Sequence, residues 1–206
     1  MRAFGFDKNE LAVFRRLGSA QKIQDFLDKK LSYNLEEKGE TCYSPRLVLR
    51  HKKAHCFEGA AFAAAALAVH GHPPLLMDFR AVRDEDHVVA VYKINSLWGA
   101  VGQSKFSGLK YRDPVFAGVR ELAMSYFDHY FNLRGEKTLR EFSEPVNLFR
   151  FGKGWLVSEQ PIGFLADRVE DARHFKILPS AKQEKPLKRV SQARIQAEQQ
   201  VVRKKK

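Results

Sequence analysis

A chain of 206 residues, 44% of them hydrophobic and 16 of them Phe, has the apolar mass for one domain with a substantial core. Its two cysteines, Cys42 and Cys56, make neither a disulfide framework nor a CxxC metal pair, so reduced thiols and a cytoplasmic setting are expected. The net charge of +12 is unevenly placed: residues 182–206 hold nine Lys or Arg against two Glu, so most of the basic character is a tail.

Residues 1–18 are interrupted by Arg2, Asp7, Lys8, Glu10, Arg15 and Arg16, which leaves no apolar stretch of signal-peptide length. The longest apolar run, Ala60 to Val69, is far short of the ~20 residues that cross a bilayer, so no membrane span is expected.

Residues 9–17 and 19–31 read as two helices. Ser19 is a fair N-cap, and Ala20, Ile23, Phe26, Leu27 and Leu31 repeat at the spacing of one buried face. Residues 32–53 read as an extended connection punctuated by Gly39 and Pro45. The next stretch, HCFEGAAFAAAALAVHG over 55–71, has no polar stripe and predicts a buried central helix with Cys56 in its first turn. Gly71 suits its end, and Pro73-Pro74 forbids continuation.

A thiol at a helix N-terminus faces unpaired N–H groups and the positive end of the macrodipole, which favour thiolate. Cys56 is therefore placed as a nucleophile, although a free Cys also simply fills apolar space.

Residues 75–82 read as a strand, Arg83-Asp84-Glu85-Asp86 as a charged turn, and HVVAVYKI over 87–94 as a second strand. Asn95-Ser96 is a two-residue hairpin connection, with 97–103 returning antiparallel. A helix followed by antiparallel strands argues for an α+β fold, with the Cys56 helix packed on the sheet.

His87 opens a strand just after an acidic turn, a position that holds an imidazole firmly at a pocket floor. As a base it would take the Cys56 proton; as a structural residue it would pair with Asp84 or Asp86. If Ile94 pairs with Leu97, Ser104 lies opposite His87, and a one-residue bulge or longer loop would shift this to Gln103 or Lys105. No carboxylate falls at that cross-strand position. Asp113 is the nearest later acid and would require the chain to fold back. The other histidines show no metal-ligand spacing, and no metal or cofactor is expected.

Pro114 predicts the opening of a helix over 115–131 with a buried aromatic stripe, and 142–148 and 151–157 read as short strands or loops. Trp98 and Trp155 are packing residues or groove linings.

The runs HCFEGAAFAAAAL, PPLLMDFRA, DEDHVVAVYK, WGAVGQSKFSGLKYRDPV and RELAMSYFDHY resemble the transglutaminase-like (papain-like cysteine) superfamily. They are most similar to a group of small bacterial transglutaminase-like proteins with no assigned reaction. The resemblance spans residues 10–150 and leaves the tail outside. It implies a papain-like core over 55–178, with 1–54 as helices and connection of the same domain and 179–206 as a disordered or frayed basic tail. It further implies that Cys56 is the nucleophile and His87 its base, and that an Asp on the next strand orients the His. Here that slot carries Gln103 or Ser104.

Two functions are therefore expected as alternatives. One is thiol-dependent acyl transfer or amide hydrolysis on a protein or peptide substrate. The other is a catalytically inactive fold that binds peptide or protein, with the tail contacting nucleic acid or another anionic surface.

Overall fold

A computed structural model describes residues 3–37 and 39–200. Two helices open the chain: α1 (Lys8–Arg16) and α2 (Ala20–Lys30). Asp7 and Glu10 form a reciprocal capping box on α1, and the Ser19 hydroxyl accepts from the Lys22 N–H at the start of α2. Next, β1 (Ser32–Tyr33) runs parallel to β2 (Lys53–Ala54), with α3 (Pro45–His51) between them. The extended reading of 32–53 misses α3. Ser44 caps it, Pro45 stands in its first turn, and Lys52 closes it in the left-handed region at φ 54°.

Helix α4 (Cys56–Val69) is the hub. Its residues from Phe57 to Ala68 are all buried, and it packs against α1, α2, α3 and the strands β3 (Leu75–Ala81) and β4 (His87–Ile94). Seven alanines between Phe57 and Ala68 keep it thin enough to lie against backbone on several sides. The remaining elements are β5 (Leu97–Val101), β6 (Arg112–Phe116), α5 (Val119–Phe127), β7 (Leu139–Ser143), β8 (Val146–Asn147), α6 (Gly163–Glu170), β9 (His174–Lys176) and α7 (Gln192–Glu198).

The fold is mixed α+β around a seven-stranded sheet in the order β6-β5-β4-β3-β7-β9, with β8 also on β3 and every pairing antiparallel. The two-residue period sorts the side chains: Leu76, Ala90 and Tyr92 face the α4 core, while Met77, Phe79, Val89 and Val91 face the core under α5. The β4–β5 hairpin has the expected register, Ile94↔Leu97 through Ala90↔Val101. Asn95 and Ser96, at φ 49° and 68°, supply the left-handed pair of a type I′ turn.

One expectation needs correction. Pro114 does not open a helix: it lies in β6, the last strand of the sheet, where a residue lacking an N–H is tolerated at the outer edge, and α5 begins only after Gly118. Of the tail expected as disordered chain or frayed helix, residues 179–200 hold the short helix α7 and pack on the body. Val190 and Ile195 bury themselves with Phe131, Glu198 meets Arg194 and His129, and the Gln200 N–H donates to the Lys105 carbonyl at 2.8 Å. Residues 201–206, which carry the last four basic side chains, lie outside the described residues. No helix among the described residues is long and apolar enough to cross a membrane.

Candidate active site

The short parallel ladder β1–β2 delivers the chain to His55, the N-cap of α4, and so fixes Cys56 at the helix mouth. Cys56 and His87 line one small pocket together with Ser104, Tyr33, Lys105 and Tyr130. This deep part is about 40 Å³, enough for a reacting carbonyl and little else. A broader groove of about 640 Å³ adjoins it and shares Asp84, Glu85, Lys105, Phe106 and Phe131 with it.

His87 is 4% exposed. Its ring stacks on Phe79 at 6.4 Å and meets the edge of Tyr130 at 6.5 Å, and its Nε2 lies 2.9 Å from the Leu109 carbonyl oxygen. A carbonyl only accepts, so Nε2 carries a proton in the neutral and the charged ring alike, and Nδ1 is left to take the Cys56 proton. The group that orients His87 is thus a backbone carbonyl.

The three side chains considered for that role are engaged elsewhere. The Ser104 hydroxyl lines the pocket but accepts from the Phe106 N–H at 3.1 Å. Gln103 donates to the Leu27 carbonyl at 3.2 Å and accepts from the Ser104 N–H. Asp113 is exposed on β6 and is no part of the pocket lining.

The second partner of Cys56 is His55, which the sequence reading passed over. Its Nε2 lies 3.3 Å from the Thr41 carbonyl, 3.5 Å from Glu58 Oε1 and 3.6 Å from Glu36 Oε1. Burial works against the imidazolium. Hydrogen bonds with the Cys42 and Cys56 sulfurs and the Glu58 charge outweigh it, raising the pKa to about 11, so His55 is a cation at neutral pH.

Burial likewise opposes the Cys56 thiolate. Hydrogen bonds from His55 and His87, and the charge on both rings, outweigh it and bring the Cys56 pKa down to about 6.

Glu58 holds this arrangement from below. Fully buried, it accepts from Asn34 Nδ2 at 3.1 Å, the His55 N–H at 2.9 Å, Thr41 Oγ1 at 2.7 Å and the Tyr43 N–H at 2.8 Å. Its place three residues after the N-cap, where an acid accepts from the cap's own N–H, was the available sequence signal.

A separate buried pair, Asp78 and His174 at 2.9 Å, ties β3 to β9 and lies outside the pocket lining. Among the described residues, no three His, Cys, Asp or Glu side chains are grouped to hold a metal ion. No protein-family model matches the chain, and no curated protein matches it.

Proposed function

We propose that the chain is a cysteine-dependent acyl-transfer or amide-hydrolysing enzyme of the transglutaminase-like, papain-like kind, acting in a cytoplasmic, reducing setting. The observation that carries this is a thiol at a helix N-terminus, directly after the His55 N-cap, that lines one small pocket with the buried His87 imidazole; the two rings together bring the thiol pKa down to about 6.

Cys56 sulfur attacks a carbonyl carbon, and the carbonyl electron pair moves to oxygen. The proton that Cys56 has given to His87 Nδ1 passes to the leaving amine or alkoxide as the carbonyl re-forms, leaving a thioester. Water or an amine then attacks the thioester, with neutral His87 taking its proton, and as the carbonyl re-forms the S–C bond breaks, releasing the acid or amide and returning the Cys56 thiolate beside protonated His87. Leu109 holds the ring in the tautomer this shuttle needs. His55, already protonated, keeps the thiolate formed between turnovers and moves no proton itself.

The alternative, a peptide- or protein-binding module without turnover, is favoured by the His87 partner. A carbonyl stabilises an imidazolium less than a carboxylate does.

Turnover of p-nitrophenyl acetate separates the two. The wild-type chain is expected to release nitrophenol in a burst that Cys56→Ser abolishes and His87→Ala slows by about 100-fold or more. Equal rates for wild type and Cys56→Ser leave only the binding module.

A further inference from the structure

We propose that Tyr33 is a catalytic residue: its hydroxyl and the Cys56 backbone N–H together bind the carbonyl oxygen as it becomes an oxyanion. This rests on the acyl-transfer reading of the Cys56 pocket.

The placement follows from β1. Tyr33 pairs with Ala54, two residues before the nucleophile, and the next residue fixes the register from both ends: the Asn34 N–H donates to the Ala54 carbonyl at 3.1 Å and Asn34 Nδ2 to buried Glu58. The Tyr33 side chain lines the same small pocket as Cys56 and His87, with the Lys105 ammonium 5.7 Å from its ring centroid. Cys56 opens α4, so its N–H has no intrahelical acceptor, and both it and the Tyr33 side chain belong to residues that line this one pocket.

When substrate arrives, its carbonyl oxygen takes that N–H, and the phenol O–H donates to the same oxygen. The role needs a hydroxyl that keeps its proton beside a thiolate. Burial and the nearby Cys56, Glu85 and Glu36 charges all push Tyr33 ionisation up, so it stays a donor at every working pH.

The step balances on groups already present. The sulfur lone pair forms the S–C bond, the C=O π pair becomes the third lone pair on oxygen, and the two donors hold it without giving up a proton. Return of that pair re-forms C=O and expels the leaving group.

Tyr33→Phe keeps the ring and its packing and removes only the donor. Two reactions of the purified full chain are compared: acylation by p-nitrophenyl acetate, which passes through an oxyanion, and alkylation by iodoacetamide, which does not. The expected result is acylation slowed by roughly 100-fold, with alkylation within about twofold of wild type across pH. Wild-type acylation in Tyr33→Phe overturns the assignment, and so does a parallel fall in both rates, which marks a structural role. Absence of Cys56-dependent acylation in the wild type removes the acyl-transfer reading, and this assignment with it.

Discussion

Removing either imidazole should raise the pH at which Cys56 becomes reactive. With a pKa near 6, about nine-tenths of Cys56 is thiolate at pH 7, against about 3% for a free thiol of pKa ~8.5. The alkylation rate does not rise in that proportion, because a less basic thiolate is a weaker nucleophile, with a Brønsted slope of about 0.4–0.5. The midpoint of the rate–pH curve is therefore the quantity to read.

His87→Ala removes one hydrogen bond and one nearby cation and should lift that midpoint by about 1–2 units. A 1.5-unit rise leaves roughly 3% thiolate at pH 6 where the wild type has half, a fall of about 16-fold. His55→Ala should produce a shift of the same sign, because its imidazolium acts on the same sulfur. The assay is iodoacetamide alkylation from pH 4.5 to 10 followed at the Cys56 peptide by mass mapping, with Cys42 left in place because its sulfur hydrogen-bonds His55. A wild-type midpoint near 8.5, or one that neither variant moves, refutes the two-imidazole account.

Substitutions at two further positions test the scaffold under the site. Gly59→Ala ordinarily stabilises a helix by up to about 1 kcal/mol. Here the added Cβ would stand 2.5 Å from Gln103 Cβ, on a side chain already bound to Leu27 and Ser104, so a loss of about 1–3 kcal/mol is expected; a gain in the urea midpoint contradicts that packing. Glu58→Ala strands four donors in a buried site and should cost on the order of 4 kcal/mol. Glu58→Gln should fall between the two, because its amide still accepts at one atom, and equal unfolding curves for all three chains contradict the hub.

The sequence foretells the β4–β5 hairpin well, because HVVAVYKI is a β-branched run and Asn95-Ser96 takes the left-handed pair a two-residue turn demands. It also places α4, whose alanine run admits no exposed face. Helix α3 is hard to foresee: seven residues are too few to show a period, so only Ser44-Pro45 announces it. Pro114 misleads because proline suits both a helix start and an outer strand, and only the sheet order decides between them.

What the sequence shows of the site is that Cys56 stands at a helix start and His87 at a strand start, and the structure sets both on the lining of one pocket. The partner of His87 is not legible, since a backbone carbonyl such as that of Leu109 leaves no trace in residue identity. The placement of His55 and Tyr33 beside Cys56 is hidden for another reason: it comes from a two-residue parallel ladder whose paired residues stand twenty-one apart in the chain.

The claim beneath the whole account is that Cys56 sulfur itself becomes acylated. Mass spectrometry of the acid-quenched chain, taken within the burst phase with p-nitrophenyl acetate and followed by peptide mapping, tests it directly. A single acetyl group on the Cys56 peptide, labile to hydroxylamine and formed more slowly in His87→Ala, is the expected result; acetylation confined to lysines or Cys42, or none at all, contradicts it.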